Sequence, residues 1–161
     1  MKKLFVVVLA LVAIGYGLWH LGLIGRAWGS DPCKLLTKQD AEAALGGAVD
    51  GPHTKAVKSW KSCGYRGQGD MESVTLNMEV RDPCADLTDI ADPSIIRGGT
   101  QLSGIGDEAV ASSMSFVNAI YVRKKNVCFY VIATDYDARR SPPIPAAQLR
   151  NLAQTAATRL P

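Results

Sequence analysis

The sequence predicts an α+β domain: a mainly antiparallel β-sheet of about five strands, packed by N- and C-terminal helices and preceded by one N-terminal hydrophobic helix. Three observations lead there. Residues 73–81 alternate strictly, with Val74, Leu76, Met78 and Val80 on one side and Thr75, Asn77, Glu79 and Arg81 on the other. That is the period of a strand with one dry face and one wet face. Residues 146–160 gather Leu149, Leu152, Ala153, Ala156 and Leu160 on one helical stripe, with Arg150, Gln154 and Arg159 away from it. Residues 4–25 form an apolar run broken only by His20 and preceded by Lys2 and Lys3.

The apolar run sets the organisation of the chain. Built as a helix it would span about 33 Å at about 1.5 Å per residue, enough for a bilayer core. Lys2 and Lys3 would hold the amino end inside, and Arg26 stops the run. Tyr16, Trp19 and Trp28 lie towards the far end, where amphipathic rings favour the interface. Residues 1–25 are therefore expected to be a signal-anchor, residues 26–30 a linker and residues 31–161 an exported α+β domain. The expected location is the inner membrane, crossed once by residues 4–25, with the domain on the periplasmic or extracytoplasmic side. A cleaved signal peptide and a secreted domain are the alternative, with Ala27-Trp28-Gly29 or Ala13-Ile14-Gly15 as the small-x-small site. A lipid anchor is not expected: Cys33 follows Ser30-Asp31-Pro32, without the small apolar residues that precede a lipidation cysteine.

Composition narrows the partners. The chain carries 18 Lys and Arg against 15 Asp and Glu, a formal charge of +3. Lys2, Lys3 and Arg26 account for all of that excess, so the domain from Asp31 onward is neutral. The basic balance is a targeting signal and not a nucleic-acid footprint. The four cysteines, Cys33, Cys63, Cys84 and Cys128, have no CxxC or zinc-knuckle spacing. On the exported side an even count reads as disulfides. Of the three possible maps, Cys33–Cys63 with Cys84–Cys128 is preferred, because each bond joins a helix start to a later strand of the same half.

The elements follow in order. Asp31-Pro32 opens a helix, and Thr37 with Asp40 resembles a capping box for residues 38–45, which Gly46-Gly47 ends. Residues 51–58, with His53, read as a polar connector, residues 60–66 as a strand and 67–70 as a turn. Asp82-Pro83-Cys84 repeats Asp31-Pro32-Cys33, and Leu87-Thr88 repeats Leu36-Thr37 at the same offset, so a second short helix is expected with Cys84 in its first turn. Residues 93–103 read as a loop, and 108–112 and 116–123 as strands. Residues 127–134 are apolar on both faces and should form a central strand. Arg123, Lys124, Lys125 and Asn126 make the hairpin tip before it, and Ser141-Pro142-Pro143 breaks the chain before the last helix.

Candidate chemistry is sparse. Gly104-Ile105-Gly106-Asp107-Glu108-Ala109 fits the permissive dinucleotide pattern, but a strand follows where a helix N-terminus is needed, and two carboxylates would face the phosphates. A turn with glycines at positive φ accounts for it better. His53 has no GxSxG, HExxH or second histidine to work with in the exported part, and reads as an exposed histidine. Asp135 and Asp137 lack the glycine and distal Glu of a calcium loop and are expected to meet Arg139 and Arg140 locally. The basic tip Arg123 to Lys125 reads as a solvated turn, with contact to anionic lipid as the alternative. No catalytic, cofactor-binding or metal-binding residue is assigned, and neither nucleotide nor nucleic acid is expected as a partner.

The stretches DPCKLLTKQDAEAALGG, SCGYRG and LSGIGDEAV resemble a loose group of small exported bacterial cell-envelope proteins, many of them lipoproteins of unknown function. In that group a Cys-x-Leu-Leu-Thr helix opens the domain, a Cys-aromatic strand follows, and a Gly-x-Gly-Asp-Glu-Ala turn precedes the last strands. The resemblance covers most of residues 31–135 and implies a bacterial source and an envelope role, with no catalytic residue carried over. The expected function is a non-enzymatic, membrane-tethered or secreted domain that binds a protein or envelope ligand. A small envelope hydrolase or thiol-dependent enzyme is the alternative.

Overall fold

The computed structural model describes residues 30–57 and 60–161. The expected hydrophobic helix and anchor at residues 4–25, and all but the last residue of the linker, lie outside the described residues. Among the described residues no helix is long and apolar enough to cross a membrane.

The described residues begin with helices α1 (Pro32–Leu35) and α2 (Lys38–Leu45), then strands β1 (Val49–Val57), β2 (Trp60–Gly67) and β3 (Val74–Arg81). After residues 82–98, which contain helix α3 (Pro93–Gly98), come β4 (Thr100–Gln101), β5 (Glu108–Met114), β6 (Val117–Lys124) and β7 (Val127–Asp135), and finally α4 (Ala146–Arg159). The strands form one sheet in the order β1-β2-β3-β7-β6-β5-β4, and every neighbouring pair is antiparallel. The α+β class stands as expected, with seven strands in place of about five.

Local rules place the helices. Asp31 accepts from the Cys33 N–H and Pro32 needs none, so α1 begins there; Leu36 turns to an extended conformation and ends it after one turn. Thr37 restarts the helix with a complete capping box: its hydroxyl accepts from the Asp40 N–H while the Asp40 carboxylate accepts from the Thr37 N–H. Gly46, left-handed at φ 73°, closes α2. On one sheet face Leu36, Leu45, Leu149, Ala153 and Ala156 pack against Leu76, Met78, Val122, Phe129 and Val131, forming the main core. Arg159 of α4 pairs with Asp40 of α2 and donates to the Leu35 carbonyl at 2.7 Å, which locks the helical layer together.

The opposite face is where the structure departs from the sequence reading. Residues 82–98 lie across it as a strap, with Leu87 buried and Ile90, Ala91, Ile95 and Ile96 packed on Val110, Ala119, Tyr121, Tyr130 and Ile132. This second layer explains why β7 is apolar on both faces. The helix expected to start at Asp82-Pro83-Cys84 does not form. The Cys84 N–H donates to the Asn126 carbonyl at 2.8 Å, so the backbone is drawn onto the β6–β7 hairpin, and only a 3-10 turn at Leu87–Asp89 follows. The expected loop at 93–103 holds α3 and β4. Asp92 caps α3 by accepting from the Ser94 N–H, with Pro93 in its first turn. The expected polar connector at 51–58 is largely β1, an edge strand in which only Val49 is buried. Such a strand has no dry face to write into its sequence.

Two disulfides are present, Cys33–Cys63 with Cα atoms 5.2 Å apart and Cys84–Cys128 with Cα atoms 5.6 Å apart. They act on opposite faces. Cys63 is buried in the main core, so the first bond fastens α1 to the helical side of β2. Cys128 belongs to the second cluster, so the other bond fastens the strap to β7.

Candidate functional site

Alternation and register define which side chains share the strap face. Thr75, Asn77, Glu79 and Arg81 of β3 pair in register with Thr134, Ile132, Tyr130 and Cys128 of β7, and with Arg66, Gly64, Ser62 and Trp60 of β2. On the far side of β7, Val117, Ala119, Tyr121 and Arg123 of β6 continue the same rows. The strap covers the rows around Tyr121, Tyr130 and Cys128. One row of this face, Arg66, Thr75, Thr134, Val117 and Met114, contributes nothing to the cluster under the strap and runs from half-buried to exposed. Met114 there is 59% exposed, while the Arg66 Nε donates to the Glu72 carbonyl at 2.7 Å.

Where the strap meets β2 and β3 it leaves a groove of about 150 Å³, walled by Trp60 and Ile90, with Glu79, Arg81, Asp89 and Tyr130 around it. Arg81 is held from the strap side: one terminal nitrogen donates to the Asp89 carbonyl, and the other lies 3.9 Å from the Asp89 carboxylate. Its Nε is buried and has no hydrogen-bond partner among the described residues. Burial, with the bonded and negatively charged Glu79 carboxylate beside it, pushes the Tyr130 hydroxyl far above the ordinary tyrosine range. Tyr130 is therefore a neutral donor at every physiological pH. The Tyr121 ring lies 5.5 Å from that of Tyr130, and Lys55 Nζ sits 5.9 Å from the Trp60 ring centre, a cation–π distance.

A second, wider depression of about 570 Å³ is lined by Gly69, Asp70, Glu72, Ser73, Asp137, Arg139 and Arg140. Beside it lies Asp135, fully buried, whose carboxylate accepts from Ser73 Oγ at 2.6 Å, from the Arg140 N–H at 2.8 Å and from the Asp137 N–H at 3.1 Å. The Ser73 bond is the main reason its pKa lies below the ordinary carboxylate range. Arg139 pairs with Asp137 at 3.1 Å, and Arg140 donates to the Asp70 carbonyl at 2.7 Å. Asp135 and Asp137 thus meet the neighbouring arginines and tie down the turn after β7. Among the described residues no group of three His, Cys, Asp or Glu is arranged to hold a metal ion.

The other sequence candidates have structural roles. Gly104 and Gly106 adopt φ 79° and 60°, and the turn they make leads straight into β5. Asp107 accepts from the Lys125 N–H at 2.6 Å, and Glu108 faces Arg123 at 3.4 Å, so both carboxylates brace the hairpin tip. Lys124 Nζ donates to the Ala157 and Leu160 carbonyls at the end of α4, both at 2.8 Å, and Lys125 Nζ to Pro161. The basic tip is engaged within the domain. His53 lies on β1, exposed, with its Nε2 3.3 Å from Asp50. All four cysteines are in disulfides.

Trp60, Glu79, Arg81 and Tyr130 were not singled out by sequence reasoning, because only strand register brings them together. The available signal was the polar side of the alternating strand 73–81, set beside a neighbour apolar on both sides. Comparison with protein-family models, curated proteins and solved structures finds no match to the chain.

Proposed function

We propose that this chain is an extracytoplasmic, non-enzymatic binding domain, tethered at the membrane by residues 4–25, and that it takes a protein partner on the uncovered part of its strap face. The observation that carries this reading is the division of that face. One part is sealed by a strap and a disulfide, while among the described residues the strap cluster stops short of the row that ends at Met114. A sheet face with an exposed methionine in a charge-balanced domain favours association with another surface. Two disulfides fit an oxidising compartment, and the apolar run behind Lys2 and Lys3 supplies the export signal and the tether.

The test uses the full chain in cells that express it. Non-reducing mass mapping from the membrane fraction is expected to return both disulfides with residues 4–25 still attached. A photo-crosslinking residue at Met114 is expected to form a discrete adduct that the same residue at Gln154, on the exposed side of α4, does not form. Reduced thiols in a soluble cytosolic protein, or equal adducts at both positions, would overturn the proposal.

A further inference from the structure

From Gly51 to Gly69 the sequence holds Lys55, Lys58, Lys61 and Arg66 and no Asp or Glu, in a domain that is neutral as a whole. The rest of the domain is therefore acidic, and the basic excess is gathered on one hairpin, β1–β2, at the edge of the sheet. Only Val49 of β1 is buried, and Lys55, Ala56 and Val57 at its far end are exposed. Val57 pairs in register with Trp60, and Lys55 with Ser62, so Val57, Trp60 and Lys55 share one side of the ribbon. Val57 is 40% exposed, Trp60 is half-buried, and Lys55 Nζ stands 5.9 Å from the Trp60 ring centre. The carboxylates nearest Trp60 lie on its strap side, where Asp89 is paired with Arg81 and Glu79 is half-buried. An exposed valine beside a tryptophan, in a ribbon with lysines and without a carboxylate, matches the surface of an anionic bilayer. Indole and valine suit its interfacial zone, and lysines suit its phosphates.

The tether proposed above, on which this reading rests, brings the hairpin within reach of such a surface. The Cys33–Cys63 bond fixes the start of the domain to β2, with the two Cα atoms 5.2 Å apart. Cys63 is three residues from Trp60, about 10 Å along the strand. The chain from Gly25, the last residue of the apolar run, to Cys33 extends to at most about 28 Å. The row that ends at Met114 crosses β2 at Arg66, about 20 Å along the strand from Trp60. Asp70, Glu72 and Asp137 stand in the depression with Arg139 and Arg140, close to Asp135 at that end of the sheet, so that end is not basic. We infer that the β1–β2 hairpin is a second membrane contact, in which Val57 and Trp60 enter the interface of an anionic phospholipid bilayer and the lysines of the ribbon meet lipid phosphates. The contact holds the Met114 row away from the bilayer, open to a protein partner.

The test uses the full chain in lipid nanodiscs, in a Trp19→Phe and Trp28→Phe background where Trp60 is the only tryptophan. Discs of phosphatidylglycerol or of phosphatidylcholine carry lipids brominated in the acyl chain close to the headgroup, which quench indole on contact; unbrominated discs give the reference emission of each variant. Trp60 is expected to be quenched in phosphatidylglycerol and little affected in phosphatidylcholine. Lys55→Gln with Lys58→Gln is expected to lower the ratio of docked to free hairpins about thirtyfold. Val57→Glu, which leaves Lys55 over Trp60, is expected to lower it about tenfold. Salt at about 1 M, where the Debye length is about 3 Å, should release the quenching. Trp60 unquenched in phosphatidylglycerol, quenched equally in both lipids, or still fully quenched in both variants overturns the contact. Any of these results leaves the Met114 adduct, and with it the binding role, standing. Reduced thiols in a soluble cytosolic protein would instead remove the tether itself, and both readings with it.

Discussion

Replacing Cys84 and Cys128 together with alanine isolates what the strap contributes. The bond spans 44 residues of sequence, and closing a loop of that length in the unfolded chain is worth about 4 kcal/mol at 25 °C. Without it, the strap is held to the sheet by Leu87, Ile90, Ala91, Ile95, Ile96 and the Arg81–Asp89 contacts. The helical face, with its own disulfide and its larger core, is untouched. Urea unfolding of the oxidised protein and of the double variant should show the midpoint falling by about 2 M, with an m-value of about 2 kcal/mol/M for a domain of this size. Hydrogen exchange should locate the loss. Amides of Ile90 and Ile96 should come to exchange through an opening of the strap at a lower free energy than global unfolding, while those of Leu152 and Ala156 in α4 should lose no more protection than the global loss of about 4 kcal/mol. A loss below about 1 kcal/mol, or strap amides that in the double variant still open only at the same free energy as α4, would refute the assignment of this bond to one independent layer.

Three further outcomes follow from the same contacts. Asp40→Ala removes both a capping box and the partner of Arg159, and is expected to cost about 2 kcal/mol, most of it from the cap because the ion pair is partly exposed; a double-mutant cycle with Arg159→Met should show coupling of about 0.5 kcal/mol, and none at all would contradict the pairing. Stability should fall on acidification. Burial raises the Asp40 pKa, but the bonds from Arg159 and Thr37 outweigh it and hold it low, and Asp135, Asp86 and Asp92 are held low first by Ser73, Thr88 and Ser94. Each of these carboxylates binds fewer protons folded than unfolded, so its contribution is complete above the unfolded value of about 3.9 and is lost as pH drops through the lower folded value. Urea midpoints flat from pH 7 to 5 and declining below about 4 are expected, and a midpoint that rises in acid would contradict the assignment. Gly106→Ala should cost about 2 to 3 kcal/mol in thermal or urea unfolding, because φ is 60° and a methyl group there would lie 2.5 Å from the Arg123 carbonyl oxygen; a near-neutral substitution would show that the turn relaxes.

What the sequence revealed and what it hid have the same physical origin. Elements with one dry side announce themselves: β3 by its alternation, α4 by its leucine and alanine stripe, and α2 by the Thr37 and Asp40 cap. β1 stayed hidden because an edge strand wet on both sides has no apolar period. Helix α3 carried a usable signal, since Asp92-Pro93-Ser94 starts a helix by the same cap chemistry as Asp31-Pro32, but Gly98-Gly99 favoured a loop. Gly99 in fact lets the end of α3 press against Val110 and Ala111 of β5, where a Cβ has no room. The groove was illegible for a different reason. Trp60, Arg81 and Tyr130 lie on three strands, and no pattern within one of them encodes their meeting; that information resides in the register of β2 and β7 on β3.

The two Asp-Pro-Cys stretches make the point about context most directly. After Asp31 the N–H of Cys33 goes to the Asp31 side chain and a helix starts; after Asp82 the N–H of Cys84 goes to the Asn126 carbonyl and none does. The tripeptide is the same, and the partner differs. In the first case the cysteine reaches a strand from the helical layer, and the local cap is free to act. In the second the cysteine lies against the central hairpin itself, so tertiary pairing takes the N–H before a helix can use it. A matched pair of short motifs thus fastens one layer to each side of a single sheet. Because the second layer is narrow and bound at one end to β7, it covers Tyr121 and Tyr130 but not the row that ends at Met114. The groove at Trp60 is the seam where that coverage stops, so any change that shifts the strap must also change Arg81 and the groove.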